Sequence, residues 1–478
     1  MSAQSIAQRR LALPPLELVA LGGVALISAG LLAAAPLRLA LLLAGALVGG
    51  LALLRWPSLG LCLLGLTVPF GSLYELQMGG LTVGPSELLL MATLGAFTVR
   101  WLVFRRLPTL PSRLWLPMML YALWLALSLL RATSLTAALK ELAKWVELLL
   151  LMWVAASLTD GRWRLGLALG LLTGGALQGL LGIYQFLYRV GPEGFLLFGR
   201  YMRAYGTFLQ PNPYGGYLGL LLPLAYGIAI TALQRVRRER AALALVMVAA
   251  VCGAIMAVAL VMSWSRGALL GAAAGAALVG LWLVRRSPGL IAALVILAVL
   301  LVPLASRLLP GGYLDRLAGQ SAYLGQDLRM VEINDDNFAT IERLAHWQAA
   351  VEMFAQRPWV GVGAGQYAVV YPQVALPRWQ DPLGHAHNYY LHTLAELGLV
   401  GLGLFVVVCV AVPMALWKRL DGLSDRERGL ALGALGMWGH LLAHSLVDNL
   451  FVHEMYLLVA LLIGVALAAA VTRKESAR

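Results

Sequence analysis

His387, paired with Asn388, opens an apolar segment of the chain, and nine residues further on come Gly398, Leu399, Val400 and Gly401. A neutral imidazole near pH 7 accepts a proton from an attacking hydroxyl, an effect typically worth about 10²–10⁴ in rate. On its context alone His387 reads first as a polar helix cap or a satisfied interfacial histidine, ahead of the base, and His385 stands close enough to confuse the assignment. Arg200 and Arg203 precede Asn212-Pro213 at the start of a second apolar segment, and Arg266 lies in Ser263-Trp264-Ser265-Arg266-Gly267. An arginine in or near lipid costs several kcal/mol and therefore has a partner or a task. Its planar fork suits phosphate oxygens, and two of them neutralise a diphosphate without a metal. The competing reading is an interfacial arginine whose head reaches water.

The elements that carry these groups are membrane helices. Hydrophobic residues make up 60% of the 478, charged residues 12%, and mean hydropathy is +0.80, which excludes an ordinary soluble protein. Apolar runs long enough to cross a hydrocarbon core of about 30 Å recur along nearly the whole length. They predict fourteen spans, near 15–35, 37–54, 57–74, 85–104, 114–131, 140–158, 165–187, 213–234, 241–262, 267–284, 289–306, 388–416, 429–449 and 454–472. Twelve is the alternative, since Arg55-Trp56-Pro57 is the sole separator of the second and third.

Basic loops stay in the cytoplasm. With Arg9-Arg10 placed there, every second loop is basic: Arg55; Arg100, Arg105, Arg106 and Arg113; Arg162 and Arg164; Arg235, Arg237, Arg238 and Arg240; Arg285-Arg286; Lys418-Arg419 with Arg426 and Arg428; and the tail at Arg473-Lys474. Both termini are thus predicted cytoplasmic, and the first apolar stretch, which lacks a small-residue cleavage site, reads as a retained span. The net charge of +13 is divided among short turns, which argues for anionic lipid heads and against nucleic acid. Cys62, Cys252 and Cys409 fall inside predicted spans without metal-ligand spacing and read as small core residues.

Two outer loops are long, 188–213 and the roughly 80 residues from Arg307 to about Ala386, enough for a small cap. The organisation predicted is 1–306 N-terminal membrane helices, 307–387 cap, 388–472 C-terminal membrane helices and 473–478 cytoplasmic tail. Within the cap, Ile341, Leu344, Trp347, Val351 and Phe354 give a helical stripe over 339–357, ended by Pro358. Asp327, Glu332, Asp335 and Asp336 form a solvated acidic patch. Trp347, Trp359, Tyr367, Tyr371 and Trp379 offer faces for stacking on sugar rings, though cap packing explains them equally. His440, His444 and Asp448, four residues apart, line one face of the penultimate span; an interhelical hydrogen-bond network is favoured over a metal site, with Asp448 kept as an orienting residue. Gly267, Gly271 and Gly275 let a neighbouring helix approach Arg266's helix closely.

His387-Asn388, nine residues, then Gly398-x-x-Gly401 resembles the signature of O-antigen ligases and related O-antigen polymerases, bacterial inner-membrane glycosyltransferases. Three further stretches agree: Arg203-Ala-Tyr-Gly206-Thr207-Phe208 running to Asn212-Pro213; Ser265-Arg266-Gly267; and Arg343-x-x-x-Trp347 followed by Pro358-x-x-Gly361-Val362-Gly363. The resemblance covers roughly residues 200 to 455. The number of spans departs from that family's usual count.

The resemblance implies an all-α, GT-C-like polytopic membrane protein with a helical periplasmic cap. It implies inverting, metal-independent and cofactor-free transfer of a glycan from a polyprenyl (undecaprenyl) diphosphate to a sugar hydroxyl of lipid A core. His387 would be the catalytic base, and Arg203 and Arg266 the diphosphate ligands. Arg200, Asn212, Arg343, His385, Asn388 and Asp448 are supporting candidates. An O-antigen polymerase or a protein O-oligosaccharyltransferase shares the donor and differs in acceptor. A solute transporter, the reading from another class, prefers ionisable groups at mid-membrane depth and an internal repeat; here most charges sit at span ends and no repeat stands out.

Overall fold

The computed structural model describes residues 36–73, 76–78, 81–104, 114–158, 160–197, 199–285, 287, 289, 323, 325–334 and 337–468. The span expected at 15–35, nearly all of that at 289–306, the basic groups Arg9, Arg10, Arg105, Arg106, Arg113, Arg286, Arg473 and Lys474, and Asp335 and Asp336 lie outside the described residues. The chain is an all-α polytopic membrane protein.

Helices stand at each of the other expected spans: α1 Leu37–Arg55, α2 Pro57–Thr67, α3 Pro85–Phe104, α4 Trp115–Ser128, α5 Leu135–Ala156, α6 Gly161–Tyr188, α7 Pro211–Leu233, α8 Arg240–Met262 and α9 Arg266–Val284. Two cap helices follow, α10 Phe338–Gln356 and α11 Tyr367–Val374, then α12 Tyr389–Leu420, α13 Asp425–His444 and α14 Met455–Ala468. Two small antiparallel hairpins, β1 Leu76–Met78 with β2 Leu81–Val83 and β3 Leu196–Leu197 with β4 Tyr201–Met202, were not expected.

Six helices among the described residues are by themselves long and apolar enough to cross a membrane, or seven if the bent pair α1 and α2 is one span. That pair turns through 119° at Trp56, whose φ/ψ of −134°/74° lies outside the helical region that a following proline disfavours. Helix α14 is short but buried along its whole length, packed on α5. Helix α5 starts earlier than expected, at a Ser134 cap whose side chain accepts from the Ala137 N–H, and Lys144 pairs with Glu141 within it at 2.7 Å. Leucines, valines and methionines stand exposed on α1, α3, α4, α8 and α12, a surface suited to lipid and costly in water.

Helices α7, α8, α9 and α13 form the tightest packing unit. Glycines make it possible: a Cβ on Gly275 would lie 2.4 Å from the Gly436 carbonyl oxygen. In the cap, α10 buries Ile341, Leu344, Ala345, Ala349, Ala350 and Met353. Val351 of the expected stripe is instead exposed, the small alanines facing inward so that α10 can lie close to α12.

Helix α12 is interrupted at Gly398, where φ is 66° and ψ −168°. In an unbroken helix Leu399 and Val400 would donate to the carbonyls of Ala395 and Glu396. Here those carbonyls accept from Val362 (3.0 Å) and Gly363 (2.8 Å) of the cap, while Leu399 and Val400 donate to Pro358 (2.8 Å) and Trp359 (3.3 Å). Both Glu396 carboxylate oxygens also accept backbone N–H groups, one from Gly365 and one from Tyr367, each at 2.8 Å. The approach is so close that a Cβ on Gly398 would meet the Trp359 carbonyl carbon at 2.4 Å, and one on Gly361 the Glu396 carbonyl carbon at 2.2 Å. Gly361 too has a left-handed φ, of 66°.

Gly398→Ala and Gly361→Ala are therefore each expected to cost more than about 2 kcal/mol, from overpacking and strained backbone together. Gly403→Ala, on the same helix with nothing within 4 Å, is expected to be neutral or slightly stabilising. Thermal denaturation in detergent compares the three.

Candidate functional site

His387 lies in the connection between α11 and α12 with a left-handed φ of 51°, a conformation uncommon for a non-glycine residue. It is held from both sides: its N–H donates to His385 Nδ1 (3.1 Å) and its carbonyl accepts from the Trp347 indole (3.4 Å). Asn388 caps α12, its side-chain oxygen accepting from Tyr390 (3.0 Å) and Leu391 (3.1 Å). The Tyr389 N–H donates to the Ser445 carbonyl at 2.8 Å, which brings the segment after α13 against the start of α12.

That segment carries Asp448. The four-residue spacing placed it on the helix with His440 and His444, but α13 ends at His444 and the chain turns, with Asp448 N–H on the His444 carbonyl at 3.1 Å. Asp448 thereby faces His387, its Oδ1 lying 3.4 Å from Nδ1. The other ring nitrogen of His387, Nε2, is buried with no hydrogen-bond partner among the described residues.

Arg203 follows the β3–β4 hairpin, its Nε donating to the Ser263 carbonyl (2.9 Å) and its NH2 to Asn212 Oδ1 (2.8 Å). Two glutamines of α6 that the sequence reading missed hold this loop. Gln185 accepts from the N–H groups of Tyr205 (3.1 Å) and Gly206 (2.7 Å) and donates to the Gly206 carbonyl (2.9 Å), while Gln178 accepts from Thr207 N–H (3.1 Å). The signal was available, since two glutamines seven residues apart share one face of an otherwise apolar span. Arg266 stands at the first position of α9, behind the Ser265 cap. Arg343 projects from α10 of the cap.

These charges share one field. Desolvation lowers the Arg203 pKa to about 10, helped by the cations Arg343 and Arg266 and opposed by Asp448, so it stays charged at neutral pH. Burial works against ionising Asp448, but the His387 hydrogen bond and electrostatic interactions with His385, His387 and Arg343 outweigh it and hold the carboxyl below its ordinary range. Burial first, then His387, lowers His385 to about 3, a neutral imidazole. His346 of α10, also desolvated and next to His387, is lowered to about 4.

The structure thus gathers Arg203, Arg266, Arg343, His385, His387 and Asp448, with Asn212 orienting Arg203. Arg200 stands apart on the exposed hairpin, its guanidinium 5.3 Å from the Tyr201 ring centre. Among the described residues, His385, His387 and Asp448 form a group able to hold a metal, one donor atom of each lying within 4.8 Å of the others. His440 and His444 form a short pair, 3.3 Å between ring nitrogens, in space left by Gly219, Gly271 and Gly267. Of the cap aromatics, Tyr367, Tyr371 and Trp379 are buried packing residues, whereas Trp359 is 68% exposed. The three cysteines are free. Two cavities, of about 660 and 940 Å³, lie at the other end of the helices around Arg164 and Arg235 and around Arg55 and Arg100, and none of the gathered residues lines either.

A carboxylate with a depressed pKa stabilises the fold fully above its unfolded value, near 3.9, and loses that contribution as pH falls. Asp448→Asn is therefore expected to lower the melting temperature at pH 6–8, with the gap to the unsubstituted protein closing below about pH 4. Melting curves across pH measure it.

Residues 251–406 match the family model described as O-Antigen ligase. The matched stretch holds Arg266, Arg343, His385, His387, Asn388, Gly398 and Gly401, while Arg203, Asn212 and Asp448 lie outside it. It bears out the resemblance to the O-antigen ligase and polymerase superfamily and supports a function of that type. No curated protein matches the chain.

Proposed function

We propose that the protein is an O-antigen ligase: an inverting glycosyltransferase that moves a glycan from undecaprenyl diphosphate to a sugar hydroxyl of lipid A core, completing lipopolysaccharide. The observation that carries this is the state of His387, with Nδ1 against Asp448 and Nε2 buried and unpartnered, beside three arginines. A proton acceptor and an anion cradle are the two things such a transfer requires.

In the mechanism, Arg203 and Arg266 hold the donor diphosphate, with Arg343 adding charge from the cap. The acceptor hydroxyl gives its proton to His387 Nε2 as its oxygen attacks the anomeric carbon. The bond to the diphosphate breaks on the opposite face, so the single displacement inverts the centre. Asp448 stabilises the imidazolium that forms, and the guanidinium groups balance the charge growing on the departing diphosphate. The arginines do the work of a cation, so neither a metal nor a cofactor is needed. The site faces the periplasm of the inner membrane with both termini cytoplasmic, the donor tail lies in the bilayer, and the cap of 307–387 closes over the donor between the membrane helices of 1–306 and 388–472. Exposed Trp359 is the cap aromatic free to meet a sugar.

His387→Ala is expected to reduce transfer by about 10²–10⁴ while donor binding persists; loss of binding with unchanged chemistry would assign the residue a structural role. Arg203→Ala and Arg266→Ala should each weaken binding of the polyprenyl-diphosphate glycan, and unaltered affinity in both would remove the diphosphate cradle. Purified protein given that donor and lipid A core in EDTA should yield a single glycan addition to the core. Chain growth on a second donor molecule instead would make the protein a polymerase, and labelling of a protein hydroxyl would make it a protein O-oligosaccharyltransferase. Activity lost to chelator and restored by a divalent ion would overturn metal independence.

A further inference from the structure

We propose that His385, His387 and Asp448 form a binding site for Zn²⁺ or a similar transition-metal ion, and that the ion acts there as an inhibitor of transfer. The metal site stands on geometry alone, while the inhibition rests on His387 being the base.

Two imidazoles and a carboxylate are the donor set of open, three-ligand zinc sites. Zinc bonds of about 2.0–2.2 Å in tetrahedral geometry put neighbouring donor atoms about 3.3–3.5 Å apart. A charge-assisted N–H···O⁻ hydrogen bond instead prefers about 2.7–2.9 Å. The His387 Nδ1 to Asp448 Oδ1 separation is 3.4 Å, long for the hydrogen bond and matched to two ligands of one ion. With the third donor inside 4.8 Å of both, a small adjustment of His385 completes the set. Ligation through His385 Nδ1 would cost the bond it accepts from His387 N–H, a single neutral hydrogen bond, and ligation through Nε2 would spare it. Arg343, whose charge reaches Asp448, and the neighbouring Arg203 and Arg266 oppose a dication, so binding is weaker than in a structural zinc site.

The consequence for chemistry follows from the tautomer. Asp448 at Nδ1 keeps the single ring proton there and leaves the Nε2 lone pair for the acceptor hydroxyl. An ion on Nδ1 needs that nitrogen's lone pair, so the proton moves to Nε2. No proton is gained or lost by the ring, but Nε2 has become a donor and can no longer take one.

Metal-stripped, full-length protein in detergent is titrated with Co²⁺, read by its visible d–d absorption, and then with Zn²⁺ in competition. One site is expected, with affinity reduced tenfold or more by His385→Ala and by Asp448→Asn. In the unsubstituted protein, Zn²⁺ should also shield His385 and His387 from diethylpyrocarbonate, which needs no variant to fold. Absence of a Co²⁺ band, equal binding by the variants, or no shielding would overturn the site. Zn²⁺ should then inhibit transfer reversibly, EDTA restoring it. If the ion occupies the site and transfer continues, the inhibition and the base assignment both fall while the metal site stands; if no ion binds, the base assignment is untouched.

Discussion

The exchange of backbone hydrogen bonds at Gly398 is the constraint on which the rest of the site depends. A helix that breaks inside an apolar bundle leaves carbonyls whose desolvation costs more than an ordinary hydrogen bond returns. The cap turn at 358–363 supplies the missing donors and takes the freed N–H groups in return, so the break and the turn are each stable only in the presence of the other. Glu396, two residues earlier, adds two more acceptors, for Gly365 and Tyr367 just beyond that turn. Because α12 starts just after His387, fixing the cap on α12 also fixes where the imidazole sits.

The second determinant is electrostatic. Arg266 and Arg343 both act on Arg203, and of the gathered groups only Asp448 carries negative charge. Cations collected in a partly desolvated place destabilise the fold on their own account, and an anion relieves them. On the proposed function, the arrangement trades stability for readiness to receive phosphate, a familiar cost at functional sites. Neutral His385 and His346 flank His387 without adding to that positive charge at neutral pH.

Much of this was legible in the residues, and the failures have physical reasons. Apolar length located the membrane helices because hydrocarbon admits few alternatives, and Pro57 and Pro358 marked a bend and an end by their covalent geometry. The arginines stood out because lipid makes them expensive. Asp448 was misplaced on a helix face because a four-residue period persists past the point where the helix stops, and nothing local announced the turn after His444. Val351 belongs to the apolar stripe by hydrophobicity but is exposed, because close helix contact selects the smaller alanines for the inner face. Gln178 and Gln185 carry no charge and stand out less than the arginines, although an uncharged amide in an apolar span is also in need of a partner.

The turn bearing Gly365 and Gln366 grips a second neighbour besides α12. Gln366 exchanges a pair of hydrogen bonds with the Ser134 backbone, and Ala364 N–H is bonded to the Ser128 hydroxyl. The chain is thus pinned at this knot and again at Tyr389, with the imidazole suspended on the span between them. A single insertion between Val374 and His387 has nowhere to go except into the span itself, which makes the spacing of those residues, more than their identity, the part of the cap that drift must leave alone.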